Sequence, residues 1–184
     1  AHVRRICEFI PLPLKASDLS CKVGSLAGKV RMPGLFIIAH APLASALKEC
    51  ASHVYAGCPQ KLLAFDVAPD AVVEDAAQAA LPALRQAAAD GSALVLVDVF
   101  GATPSNIALR LSELAGDLKL KIVAGVNLPM LLRSVCYQAE SLDGLAARAT
   151  AGAIQGVVQV SADAPQQQSL RSPSHAATHH SSQQ

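Results

Sequence analysis

Two stretches of this chain leave little choice of architecture. Gly34-Leu35-Phe36-Ile37-Ile38-Ala39 and Ala93-Leu94-Val95-Leu96-Val97 are uninterrupted apolar runs rich in β-forming residues. A strand with one wet face alternates polar and apolar side chains, whereas a strand without that alternation is buried on both faces. Covering both faces of a sheet takes helices, and the sequence supplies them. After the first run, Leu43, Leu47, Cys50, Ala51 and Val54 recur at helical spacing, and Pro42 suits the first turn. Asp70 to Ala89 is rich in alanine, the strongest helix former. Pro82 falls inside that segment and is expected to kink or split the helix.

The alternation continues along the chain. Lys61 to Val67 reads as a second, shorter strand with Asp66 near its end, after Gly57-Cys58-Pro59 has stopped the first helix. Asp90-Gly91 is a turn before the run at Ala93, which ends at Asp98. Thr103 at the N-cap with Pro104 at the first helical position marks another helix start, and Ile107, Leu111 and Leu114 supply its buried stripe. Leu118 to Ala124 makes a fourth strand, followed by Gly125-Val126-Asn127. Leu128 to Tyr137 and Ser141 to Thr150 read as helices, and Gln155 to Val160 as a short last strand. The expected fold is α/β, a doubly wound, mostly parallel four-stranded sheet with helices on both faces.

The two ends break this pattern. Residues 1–31 carry Arg4, Arg5, Lys15, Lys22, Lys29 and Arg31 against only Glu8 and Asp18, and show no sustained period. They read as an extension outside a fold that begins near Met32; a targeting or docking segment is the alternative. From Ser161 the chain is Ser, Gln, Pro and His in low-complexity order and reads as a disordered, solvated tail. The folded domain is expected over residues 32–160.

Composition narrows the function. Over 184 residues, 52% are hydrophobic and 16% charged, enough for a core and too apolar for wholesale disorder. A net charge of +1 gives no electrostatic footprint for nucleic acid, and 3% aromatics with no Trp leave few stacking platforms. No apolar run approaches the roughly 18 residues that span a bilayer, so the chain reads as soluble. Five cysteines without a C-x-x-C pair read as free thiols in a reducing cytoplasm rather than zinc ligands or a disulfide framework.

In such a sheet, ligands bind beyond the carboxyl ends of the strands. Three polar features fall there: His40, Asp98 with the loop that follows it, and Asn127. A lone histidine at a strand end is as often structural as functional, and a lone aspartate can be a loop cap. At the ends of neighbouring strands, however, the two can meet. A carboxylate on one ring nitrogen fixes the tautomer, leaves the other nitrogen a free lone pair, and stabilises the cation when the ring is phosphorylated. The helix start at Thr103 adds unpaired N–H groups and a positive dipole end, so a nucleophile stands beside an anion site. The chain has no G-x-x-x-x-G-K-[ST], no G-x-G-x-x-G after the first strand and no G-x-S-x-G. No acidic cluster completes a metal site around His40 and His53. Nucleotide, serine-hydrolase and metal chemistry are therefore not expected. Phosphoryl relay between proteins is the reading left, with a small-molecule-binding module carrying a dead site as a distant alternative.

Residues 32 to about 160 resemble the IIA component of the mannose-type sugar phosphotransferase system. The resemblance is carried by GLFIIAHAPLASAL, LVLVDVFGATPSNIALRL and IVAGVNLPMLL, where the family has D-x-F/W-G-G-S-P-x-N and, downstream, G-V-N-x-P-M-L. It implies a doubly wound fold and a homodimer whose last strand pairs across subunits, with Gln155 to Val160 as candidate. It also implies no cofactor and a cytoplasmic location, peripheral to the membrane through the transporter complex. His40 matches the histidine that takes phosphate from phospho-HPr and passes it to a histidine of a IIB component, with membrane IIC and IID subunits downstream. Asp98 matches the carboxylate that holds its ring. Gly101, Ala102, Thr103, Ser105 and Asn127 become the phosphate-binding set, Thr103 standing where the family has Ser. A regulatory IIA, whose phosphorylation state controls a partner without sugar transport, is the alternative under the same resemblance. Ala41 and Ala102 stand where the family has glycine; each adds a methyl near the phosphate and disfavours positive φ.

Overall fold

The computed structural model describes residues 32–55 and 62–160. The basic extension, the Gly57-Cys58-Pro59 stop, the low-complexity tail, and Cys7, Cys21 and Cys58 lie outside the described residues. Strands and helices alternate as β1 (Gly34–His40), α1 (Leu43–Val54), β2 (Leu62–Val67), α2 (Val73–Ala87), β3 (Ser92–Val97), α3 (Thr103–Leu114), β4 (Lys119–Ala124), α4 (Leu128–Cys136) and α5 (Leu142–Gln155). All neighbouring strands pair in parallel, in the order β2-β1-β3-β4. The two uninterrupted apolar runs are the two central strands, buried on both faces. At the edge, β4 exposes Lys119 and Lys121 in alternation with half-buried residues.

The two-residue period of the strands sorts the core into two layers. Phe36, Ile38, Val95 and Val97 pack with Ala77, Leu84, Ile107 and Leu111 of α2 and α3. On the other face, Leu35, Ile37, Leu94 and Leu96 meet Leu47, Met130, Leu131 and Leu145 of α1, α4 and α5. None of these strand residues is more than 1% exposed, and each such burial contributes roughly 2 kcal/mol. One contact is closer than any side chain allows: a Cβ on Gly34 would stand 2.0 Å from the Ala87 carbonyl oxygen. The start of β1 therefore lies hard against the end of α2.

Three expectations need correction. Pro82 does not split its helix: α2 is continuous through it. Pro82 and Gln78 both lie on the exposed side, so the Gln78 carbonyl left without a donor is open to hydration. The second correction is that α3 begins one residue early, with Ala102 as N-cap, Thr103 first and Pro104 second. The Ala102 carbonyl already accepts from Asn106 N–H at 3.1 Å. Third, Gln155 to Val160 is not a strand in the single chain. Helix α5 continues past Thr150 to Gln155, helped by Gly152, where a Cβ would come within 2.8 Å of Arg133 Cβ. Residues 157–160 have no regular structure, and Val157, Val158 and Val160 are exposed; they pair with neither edge strand of the sheet, so the ladder that would make them a strand is not formed. Among the described residues no helix is long and apolar enough to cross a membrane, and Cys50 and Cys136 form no disulfide.

Candidate active site

His40 is the last residue of β1, level with Val67 of β2, and Asp98 follows the last residue of β3. Because β1 and β3 are hydrogen-bonded neighbours, their ends bring the two side chains together. Asp98 Oδ2 accepts from the His40 backbone N–H at 2.9 Å and stands 2.7 Å from His40 Nδ1. Asp98 Oδ1 accepts from Val99 N–H at 2.8 Å. A carboxylate offers only acceptors, so this contact assigns the proton to Nδ1 and leaves the lone pair on Nε2. The His40 side chain is 48% exposed and that of Asp98 only 7%. Burial pushes the Asp98 carboxyl up, but the backbone N–H and ring of His40, the Val99 N–H and the charge of the ring outweigh it. The carboxyl is held below its ordinary value.

The loop from Asp98 into α3 runs past this pair. Gly101 takes φ +83°, and nothing stands within 4 Å of where its Cβ would be. Ala102, by contrast, has φ −87° and ψ 174°. Its methyl therefore costs no backbone strain, and the substitution of alanine for the family's glycine is accommodated here. The N-cap alanine has no side-chain oxygen to offer, and among the described residues no side chain caps the first turn of α3. Its leading N–H groups and positive end are left for another acceptor. Thr103 is half-buried and Ser105 3% exposed at this start. Val99 and Phe100 point the other way in polarity: they are 55% and 82% exposed on the same loop.

Asn127 lies beyond the end of β4, and its side chain is engaged. Oδ1 accepts from Met130 N–H at 2.8 Å, capping α4, and Nδ2 donates to the Ala153 carbonyl of α5 at 3.2 Å. The geometry makes it a helix cap that ties α4 to α5, and among the described residues its side chain makes no hydrogen bond to His40.

One residue at this edge is placed at a strand end by the sequence but not among the site residues. Asp66, level with Ala39 at the end of β2, accepts from Ser45 N–H at 3.1 Å. Its only signal in sequence was a carboxylate interrupting the end of an apolar strand. Among the described residues, no group of three or more His, Cys, Asp or Glu is placed to hold a metal ion.

With the site in view, the chain can be set beside known proteins. The sequence pattern of the family EIIA-man, described as PTS system fructose IIA component, matches residues 34–150. The chain belongs to this family. The PTS system fructose-specific EIIA component of Bacillus subtilis (strain 168) is 33% identical over 101 residues, 55% of this chain and 67% of that protein. Among solved structures, phosphotransferase system component EIIA from Streptococcus agalactiae has a TM-score of 0.59 at 26% identity, covering 70% of this chain and 97% of its own. The mannose/sorbose specific IIA subunit from Enterococcus faecalis has a TM-score of 0.61 at 24% identity, covering 71% and 96%; at that identity it supports the fold alone. The chain is a mannose-type EIIA of the sugar phosphotransferase system, and the family places it among phosphocarriers that work with HPr and IIB proteins.

Proposed function

We propose that His40 is the phosphoryl carrier of this EIIA, accepting from the phosphohistidine of HPr and donating to a histidine of a IIB component. The observation that carries this is the double grip of Asp98 Oδ2 on the backbone and Nδ1 of His40, at 2.9 and 2.7 Å, with half of the side chain still exposed. Nε2 attacks phosphorus, the nitrogen–phosphorus bond of the donor breaks, and the donor imidazole leaves with the electron pair. His40 keeps its Nδ1 proton, so the phosphorylated ring is cationic and Asp98 beside it stabilises that charge. No proton, water or cofactor enters the balance.

The uncapped start of α3 is the natural seat for the phosphoryl oxygens, with the Gly101–Ala102 loop, the Thr103 hydroxyl and N–H, and Ser105 N–H as donors. Phe100 and Val99 give the rim an apolar surface for the carrier proteins that must approach it. The exposed Val157, Val158 and Val160, together with a β4 edge that no further strand pairs among the described residues, support a homodimer in which this segment joins a second copy.

The test is incubation with phosphoenolpyruvate, enzyme I and HPr, followed by intact mass and a mild acid chase. One acid-labile phosphate is expected, absent from His40→Ala; labelling of His40→Ala to the same extent overturns the assignment. Adding a IIB acceptor then separates a carrier, which discharges, from a regulatory EIIA, which keeps its phosphate.

A further inference from the structure

We infer that Asp66 is a positioning residue for His40, acting through the turn that joins β1 to α1. The head of α1 has a deficit of hydrogen-bond acceptors. Its N-cap is Pro42, which has no side-chain acceptor, and no cap bond is made from within the turn. A helix start leaves its first N–H groups without intrahelical partners. Asp66 Oδ1 takes one of them, Ser45 N–H, at 3.1 Å, reaching across from the neighbouring strand. The same turn is held twice more: Ala41 N–H donates to the Val67 carbonyl at 2.9 Å, and Ser45 Oγ donates to the Pro42 carbonyl at 3.0 Å.

His40 is thus clamped between two carboxylates from the two strands that flank β1. Asp98 of the β3 end takes the backbone N–H and ring of His40; Asp66 of the β2 end fixes the chain that leaves it. Only the first touches the imidazole. The second sets where the backbone of residues 40–45 lies, and so whether the Nδ1–Asp98 distance can stay short. Misplacing a reacting group by about 1 Å costs on the order of 10²-fold. Slackening one of three ties is a smaller disturbance, expected at roughly tenfold.

The inference rests on the phosphocarrier reading for its rate but not for its geometry, and the test separates the two. In full-length, ¹⁵N-labelled protein without HPr, the His40 ring nitrogens report the tautomer directly, assigned by their loss in His40→Ala. The wild type is expected to hold the proton on Nδ1. Asp66→Ala should shift part of the population to the other tautomer and slow labelling by HPr roughly tenfold, with the loss in kcat rather than KM. Asp66→Asn keeps an oxygen acceptor for Ser45 N–H and should show the same shifts at about a third of the size. If Asp66→Ala folds with wild-type ring signals and wild-type kcat, or if it does not fold and Asp66→Asn shows both unchanged, Asp66 merely braces the fold and the inference fails. Should wild-type protein accept no phosphate at all, the carrier reading falls, while the tautomer shift still decides the role of Asp66.

Discussion

Two helices begin beside His40, and their first turns are finished in opposite ways. Helix α1 starts at a proline and has its Ser45 N–H taken by Asp66, a carboxylate resident on the next strand. Helix α3 has Ala102 as its N-cap, which has no side-chain oxygen, and among the described residues no other side chain takes its place. Both ends carry the same partial positive charge. The difference is that one has been answered by the protein and the other has not. An anion arriving at His40 therefore meets a negative side chain toward α1 and open N–H groups toward α3. On the phosphocarrier reading proposed above, the two ends divide the work: one helix end is closed to keep the histidine still, and one is left open to hold the phosphate.

The sharpest way to break this comparison leaves both helix ends alone and removes what aims the ring between them. Asp98→Asn is expected to fold and to slow labelling by HPr by roughly 10²-fold or more, since an amide no longer enforces the Nδ1–H tautomer or stabilises the phosphorylated ring. Stopped-flow or quench labelling checks it; a change below threefold would mean that the short contact is ornamental. Next, Ala102→Asp should make α3 resemble α1. A carboxylate at this N-cap is expected to stabilise the protein by about 1 kcal/mol in chemical denaturation and to slow phosphorylation by roughly tenfold through repulsion of the phosphoryl group. Faster labelling would show that α3 does not receive the phosphate.

The rim offers a smaller effect. Phe100→Ala is expected to raise the apparent KM for HPr roughly fivefold, about 1 kcal/mol, with little change in kcat. The smallest effect is in pH. The depressed Asp98 carboxyl contributes its stability in full above the ordinary carboxylate range near pH ~4 and loses it as pH falls through its own lower value. The stability gap between wild type and Asp98→Asn should therefore close in acid; a gap constant down to pH ~2 would contradict the coupling.

What could be read from sequence follows from how local each cause is. The central strands announced themselves because a residue run with no polar interruption has one way to be buried, and β1 and β3 occupy that place. His40 and Asp98 were legible as polar residues where those runs stop, and the parallel sheet brings such ends together. The part of Asp66 was not legible, because its donor lies 21 residues earlier and on another element. The cap of α3 was misplaced by one residue: Thr103 has the side chain of a cap, but the backbone turns at Ala102. At Pro82 the split does not occur, because the hydrogen bond lost there falls on an exposed face where solvent supplies a substitute. At the far end, valines read as a strand by propensity, yet a strand also requires pairing along an edge, and residues 157–160 pair with neither edge of the sheet.

Gly34 stands at the opposite end of β1 from His40, six residues back along an extended chain, or roughly 20 Å. Its missing side chain lets the strand seat against the carbonyl of Ala87, and a strand seated at its tail cannot slide along its own length. The reach of the His40 ring toward Asp98 is thereby gauged from the far side of the sheet, in the way a stop at the heel of a rod sets how far its tip protrudes.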